Sequence, residues 1–174
     1  ASYQEMNDIA ATIPVGSEGV SIIPFGNGAE RMLNNAEVGT QLLNINLNKH
    51  NKAHLCRAAL EGIAFSFVYG MEILKNDGID SKVMKAGNDN LFRSEIFANT
   101  VATLVDFDIE MYNTTGAIGA ARAAGLHEGD FESFGKLVEE NDYVMTYKPN
   151  ANKEAYVKAY EAWKSELEKF LKKD

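Results

Sequence analysis

The segment AHLCRAALEGIAFSFVYGMEILK, residues 53–75, decides the fold of this chain. Its apolar residues recur at the three- and four-residue spacing of a helix and form one stripe: Cys56, Leu60, Ile63, Phe67, Met71 and Leu74. Small residues form a second face, and charged residues mark another side: Arg57, Glu61, Glu72 and Lys75. The pattern therefore predicts a helix from Ala53 to about Lys75 that is buried over much of its circumference.

Shorter apolar segments lie on both sides of this helix. Runs of β-branched residues or alternating apolar residues predict strands at residues 20–25, 40–48, 82–86 and 107–112. Helical spacing predicts helices at residues 4–13, 91–104, 117–124, 131–139 and 153–172. Strands that alternate with helices are typical of an α/β sheet with crossover connections, here followed by a long C-terminal helix.

Length and charge limit the classes of function. The chain has 174 residues, of which 45% are hydrophobic, so it can form one globular domain. Its 17 Lys and Arg residues against 25 Asp and Glu residues give a net charge of −8. Nucleic acids and anionic membranes bind basic surfaces, and the sequence has no apolar run long enough to span a bilayer. We therefore expect no nucleic-acid partner and no membrane association.

Cysteine content and the first residues bear on localisation. Cys56 is the only cysteine, which excludes a disulfide within the chain and a CxxC zinc site. Residues 1–13 contain Glu5 and Asp8 and lack the basic start and apolar stretch of a signal peptide. We therefore expect a cytoplasmic protein. Because the chain begins at Ala1 without a methionine, we also expect it to be a piece of a longer protein.

Residues suited to metal binding or bond-making are sparse. His50, His54 and His127 are the only histidines, and the pattern supplies no facing partners that would complete a metal site. Asp106 and Asp108 lie two apart near a strand and are more typical of a solvated face than of a catalytic pair. The sequence has neither a Walker loop nor a Gly-x-Gly-x-x-Gly motif. We therefore assign no metal ligand and no catalytic residue.

One loop has the character of a ligand site. The strand ending at Ala86 leads through Gly87, Asn88, Asp89 and Asn90 directly to the helix predicted from residue 91. Such a junction offers free backbone N–H groups and the positive end of a helix dipole to an anion or nucleotide. Glycine permits close approach of a ligand to the backbone, and asparagine offers a donor and an acceptor. Alternatively, one of these polar residues only caps the helix.

The order of several motifs resembles the C-terminal domain of FGGY-type carbohydrate kinases. The motifs are GNGAER (26–31), LNINL (43–47), HLCRAALEGIA (54–64), AGNDN (86–90), TTGAIGAA (114–121) and YKP (147–149). The segment HLCRAALEGIA fits the second signature of the family. The loop AGNDN stands where the family has its glycine-rich adenosine motif. Together they cover nearly the whole chain, and within the family they look most like the xylulose kinase branch.

The resemblance implies an actin/hexokinase-like (ribonuclease H-like) nucleotide-binding fold, with residues 1–174 as the C-terminal portion of the kinase. It implies ATP and Mg²⁺ as cofactors and a sugar hydroxyl as phosphoryl acceptor, with xylulose as the expected sugar. The sugar site, the catalytic aspartate and the first phosphate loop would belong to a preceding domain, so we expect the chain alone to be inactive. This chain would itself bind the adenosine end of the nucleotide, through Ala86, Gly87, Asn88 and Asn90.

Three of the motifs depart from the family pattern. Asn44 stands where the signature has glycine, Met32-Leu33 replace a Thr-Pro pair, and Lys85 and Ala86 stand where the adenosine motif has glycines. The chain therefore either binds nucleotide through Asn88 and Asn90 or keeps the fold as a non-catalytic regulatory or assembly domain. A stand-alone small-ligand module is a third reading. Apolar surface left by a missing domain would favour self-association, as in a homodimer.

Overall fold

The computed structural model describes residues 2–28, 30–79, 81–127 and 130–172; Ala29, in the motif at residues 26–31, lies outside them. The helices are α1 (Tyr3–Ala11), α2 (Lys52–Asn76), α3 (Glu95–Val105), α4 (Gly116–Ala123), α5 (Phe131–Asp142) and α6 (Lys153–Leu171). The strands are β1 (Ser21–Phe25), β2 (Gly39–Leu43), β3 (Val83–Gly87), β4 (Asp108–Tyr112) and β5 (Tyr143–Tyr147). Three 3₁₀ turns lie at Ser17–Gly19, Arg31–Leu33 and Asn90–Arg93. In the described part of the chain, no helix combines the length and apolar character needed to cross a membrane.

The strands form two sheets. Strands β1 and β2 pair antiparallel as a ribbon. The second sheet has the order β3-β4-β5, in which β3 and β4 are parallel and β5 is antiparallel to β4. Helix α3 connects β3 to β4, so the predicted crossover unit of an α/β fold is confirmed.

Helix α2 lies at the centre and contributes to both hydrophobic cores. Phe65 and Val68 pack in the first core with residues of β1 and α6: Ile23, Phe25, Tyr160, Trp163 and Leu167. Ala64 packs in the second core with residues of α3 and the β3-β4-β5 sheet: Phe97, Ala98, Val101, Ile109, Met111 and Tyr147. The helix approaches β1 very closely at Gly62, where an added Cβ would lie 2.3 Å from the Ile22 carbonyl oxygen.

The N-terminus of α2 is capped by two side chains. Asn51 Oδ1 accepts a hydrogen bond from the Ala53 N–H at 2.9 Å, and the Asn51 N–H donates to His54 Nδ1 at 3.3 Å. This reciprocal arrangement satisfies two backbone donors that a helix start leaves unpaired. The predicted helix at residues 53–75 is confirmed within one residue at each end.

Two of the charged residues that mark another side of α2, Arg57 and Glu61, are buried. Arg57 is 6% exposed and Glu61 is 2% exposed, and Arg57 Nε donates to Glu61 Oε1 at 2.7 Å. The Gly16 N–H also donates to the Glu61 carboxylate, at 3.1 Å to each oxygen. The charges can be buried because they neutralise each other and the carboxylate is hydrogen-bonded.

Two further predictions differ from the structure, and one strand has no counterpart among the predictions. The strand predicted at residues 40–48 ends at Leu43, because Asn44 has a φ of 61° and turns the chain out of the ribbon. Asparagine is one of the few residues besides glycine that adopt this left-handed conformation readily, so it can replace the glycine of the family signature. The helix predicted at residues 91–104 is a 3₁₀ turn followed by α3, and strand β5 was not predicted.

Candidate functional site

An open pocket of about 630 Å³ lies at the carboxyl end of β3. Helix α2 and the 3₁₀ turn after β3 form its sides, and the loop that follows β4 reaches it as well. The loops after β3 and β4 meet here because the two strands are parallel, with Gly87 opposite Tyr112. A crevice at the carboxyl ends of parallel strands is where ligands bind in open α/β sheets.

Three aromatic rings form the apolar wall of the pocket. Phe92 packs edge-on against Phe97 with ring centroids 5.2 Å apart, and Phe67 packs against both at 6.2 Å. Phe67, on α2, remains 38% exposed, which is unusual for a ring that belongs to such a cluster. The wall thus presents a partly open apolar surface, with Phe67 as its exposed ring, against which a heterocyclic base could pack.

The structure brings three of the four predicted nucleotide residues to this pocket. Ala86, Gly87 and Asn90 line it, whereas Asn88 lies outside the lining and its N–H donates to the Tyr112 carbonyl oxygen at 2.7 Å. Asn90 has a φ of 50°, and its own N–H is capped by Asp89 Oδ1 at 2.8 Å. Asp89 therefore caps the 3₁₀ turn, whereas α3 itself is capped by Ser94.

Gly87 is required by a contact within the chain. A Cβ at this position would lie 2.5 Å from the Thr114 carbonyl oxygen, in the loop after β4. A side chain on residue 87 would thus displace the neighbouring backbone whether or not a ligand is bound. Substitution of Gly87 therefore perturbs the fold at this edge, and the nucleotide role of the loop has to be tested at another residue.

The helix whose N-terminus reaches the pocket is α4. The sequence analysis did not place this helix at the site. Helix α3 begins only at Glu95, and its N-cap Ser94 is 1% exposed and donates to Asn7 Oδ1 at 2.5 Å. Thr115, the N-cap of α4, and Gly116, its first residue, line the pocket. The signal that could have located them is the parallel pairing of two consecutive strands, which brings their following loops together.

Lys85 is the one basic residue among the described residues that line the pocket. Its Nζ lies 2.5 Å from Glu139 Oε1 on α5 and 3.9 Å from Glu110 Oε2 on β4. The hydrogen bond with Glu139 raises the pKa of Lys85 and lowers the pKa of Glu139. Because this ammonium group already pairs with two carboxylates, the pocket suits the uncharged end of a nucleotide better than its phosphates.

The described residues do not bring together three or more His, Cys, Asp or Glu side chains in a geometry that could hold a metal ion. His50 and His54 lie with ring centroids 5.0 Å apart, but His54 Nδ1 belongs to the α2 cap and its Nε2 lies 3.6 Å from Glu18 Oε2. In kinase sites Mg²⁺ is usually held by one or two carboxylates together with substrate phosphates and water molecules. We assign no Mg²⁺ ligand to the described residues.

Comparisons with known proteins point to one group of kinases, although no protein-family model matches the chain. It is 27% identical over 173 residues to a xylulose kinase of Haemophilus influenzae, covering 94% of this chain and 34% of that protein. It is 27% identical over 115 residues to a glycerol kinase of Corynebacterium efficiens, covering 65% of this chain and 23% of that protein.

Among solved structures, Plasmodium falciparum glycerol kinase with ADP superposes with a TM-score of 0.76 at 16% identity, covering 98% of this chain and 34% of that chain. The chain thus spans about a quarter to a third of the length of these relatives. The resemblance to FGGY-type carbohydrate kinases and the actin/hexokinase-like fold are confirmed.

Proposed function

We propose that this chain is the C-terminal part of an ATP-dependent carbohydrate kinase and that it holds the adenosine end of the nucleotide. The observation that carries the proposal is the pocket at the end of β3, where an aromatic wall faces a loop of small and polar residues. The similarity to xylulose and glycerol kinases supports the same class of reaction.

Each part of the pocket has a task in this proposal. Phe67 and Phe92 cover one face of the base, and Ala86 is small enough to let the base or ribose approach β3. Asn90 offers its amide to the polar edge of the base. Its φ of 50° lies in the left-handed region that asparagine tolerates, so the chain turns sharply at this residue.

Bound ATP and Mg²⁺ would supply the transferred phosphoryl group and the charge that stabilises its transfer. This chain contributes binding and orientation, and through domain closure it would exclude water from the reacting centre. We assign no catalytic residue to it, because the group that activates the sugar hydroxyl is expected in the preceding domain. The chain alone is therefore expected to show no kinase turnover.

We propose D-xylulose, converted to D-xylulose 5-phosphate, as the substrate of the whole kinase, located in the cytoplasm. A xylulose kinase of Bacillus subtilis is 25% identical over 174 residues, which supports this choice, while the glycerol kinases among the relatives make glycerol the competing substrate. Measuring kcat/KM of the kinase that carries this chain with D-xylulose and with glycerol decides between the two substrates. A higher value with D-xylulose supports the proposal, and a higher value with glycerol contradicts it.

Replacing Asn90 by glycine is the sharpest test of the nucleotide site. Glycine keeps the positive φ of residue 90 and removes only the amide, so the melting temperature should stay unchanged. In the kinase that carries this chain, the KM for ATP should rise about five-fold, because a neutral hydrogen bond contributes about 1 kcal/mol. The KM for the sugar should stay the same.

Asn88→Ala is the matched control, since Asn88 lies on the same loop but outside the pocket. We expect it to change neither KM. Equal effects of the two substitutions, or an unchanged KM for ATP in Asn90→Gly, would contradict the proposed site.

A non-catalytic regulatory or assembly domain is the second candidate. It is favoured by Lys85, which stands where the adenosine motif has glycine and is held at the pocket by Glu139. Titration calorimetry of ADP with the folded chain separates the two functions. Saturable binding supports the kinase, and a folded chain without binding supports the second candidate.

A further inference from the structure

Helix α4 consists of small apolar residues and yet is exposed to solvent. Its sequence is GAIGAARA, in which Arg122 is the only charged residue. None of these residues is buried, and the largest apolar one, Ile118, is 42% exposed. A helix that is apolar on nearly all sides is normally buried. The described part of the chain therefore leaves α4 without the cover that its composition calls for.

Gly119 gives an independent sign of a missing neighbour. It lies in the interior of α4, where glycine is a poorer helix former than alanine. Apart from the adjacent residues and the backbone of the helix itself, no described atom lies within 4 Å of a Cβ added here. At Gly62 and Gly87, by contrast, a carbonyl oxygen of this chain excludes a Cβ. Nothing described in the chain requires glycine at residue 119, whereas close approach of an outside group would.

The charge of α4 defines the kind of surface that covers it. Arg122 is already paired, because its guanidinium group donates to the Asp142 carboxylate on α5. The rest of the helix is uncharged, although the chain as a whole carries a net charge of −8. An apolar contact of this kind is typical of a permanent association rather than of a transient encounter. The occupant is therefore an apolar surface that stays in place.

The size of α4 decides between a second molecule and the same polypeptide. A helix of this length is about 12 Å long and about 10 Å wide, so one face offers on the order of 100–200 Å². A stable interface between separate chains buries about 800 Å² on each partner. A segment of the same polypeptide needs no such area, because the covalent link keeps its effective concentration high. The chain spans only 34% of the similar xylulose kinase of Haemophilus influenzae, so a kinase of that length has further chain to supply the segment.

We propose that, in the kinase that carries this chain, a polypeptide segment outside residues 1–174 packs an apolar face against α4 and approaches it closely at Gly119. The inference rests on the proposal that this chain is one part of a larger kinase. Thr115 and Gly116, at the start of α4, line the pocket at the end of β3. The packed segment thus supports one side of the proposed nucleotide site from behind.

Cysteine labelling tests whether α4 is covered. Ala120→Cys, on α4, and Ser165→Cys, on α6, are both conservative changes at positions that are exposed in this chain. In the native kinase we expect maleimide to react at least about ten-fold more slowly with residue 120 than with residue 165, because a buried thiol is inert. In urea the two should react equally, and mass spectrometry identifies the labelled residue. Equal rates in the native kinase would overturn the proposal, as would protection that disappears on dilution, which would indicate a second copy.

Gly119→Leu tests the close approach. Leucine is the better helix former and meets no described atom outside α4 at its Cβ, so a loss of stability has to come from outside this chain. We expect the melting temperature of the kinase to fall by about 2 °C or more, as overpacking does, and to stay unchanged in Ser165→Leu. An equal or higher melting temperature in Gly119→Leu would overturn the proposal. Neither test measures turnover, so a kinase that fails to bind ATP at the β3 pocket but has a covered α4 would contradict the nucleotide site alone.

Discussion

Replacing Arg57 by methionine is expected to lower the free energy of unfolding by about 3–5 kcal/mol at pH 7, because breaking a buried ion pair leaves one charge uncompensated. The charge left behind is the carboxylate of Glu61, which is 2% exposed and keeps only the Gly16 N–H as a described partner. Denaturant titration of both proteins at the same pH measures the loss.

The loss of stability in Arg57→Met should become smaller as the pH falls, because Glu61 is buried. Burial already raises the pKa of Glu61 above its ordinary value of 4.5, and Arg57 offsets part of that effect. Without Arg57 the pKa in the folded state rises further, so the folded variant takes up a proton that the unfolded chain does not hold. Its stability should therefore improve, relative to the unsubstituted chain, as the pH falls from 7 toward 5.

The double variant Arg57→Met with Glu61→Leu is the matched control. It removes both charges and should recover most of the stability, since apolar groups of similar volume often replace a buried pair at little cost. A loss that is the same at pH 5 and pH 7, or a double variant as unstable as Arg57→Met, would show that the pair does not act as described.

Replacing Gly62 by alanine should lower the free energy of unfolding by about 3 kcal/mol, the upper end of the usual cost of overpacking. The added Cβ would lie 2.3 Å from the Ile22 carbonyl oxygen, so α2 and β1 would have to separate. The higher helix propensity of alanine offsets only about 1 kcal/mol. The change in the midpoint of urea unfolding checks this value.

Gly70 offers a control on the same helix. A Cβ there would meet only the flexible end of Met32, at 3.8 Å, so Gly70→Ala should stabilise the chain by about 0.5–1 kcal/mol. If Gly62→Ala were as stable as Gly70→Ala, the close approach of α2 to β1 would be disproved.

Local sequence patterns were sufficient for the elements that follow one clear period. Helix α2 is strongly periodic over more than six turns, and its boundaries were predicted almost correctly. Strand β5 was missed because three of its five side chains are exposed, so it lacks an alternating pattern and depends on pairing with β4. The burial of Arg57 and Glu61 was missed for a related reason, since the Gly16 N–H that completes the site lies 45 residues from Glu61.

The candidate site was predicted in part. The loop at residues 86–90 could be predicted because a strand and the glycine after it are adjacent in the sequence. Thr115 and Gly116 reach the same pocket only because β3 and β4 pair in parallel, which local sequence does not specify. The role of Gly87 could not be predicted either, because the Thr114 carbonyl oxygen that requires it belongs to another loop.

The sharing of α2 between the two hydrophobic cores has a consequence for how the chain opens in solution. Ala64 belongs to one core and the adjacent Phe65 to the other, so neither core can be exposed at this helix without disturbing the other. Amide hydrogens in the middle of α2 should therefore exchange with solvent only through global unfolding. Helix α5, which buries none of its residues, should exchange through local opening at a far smaller free-energy cost.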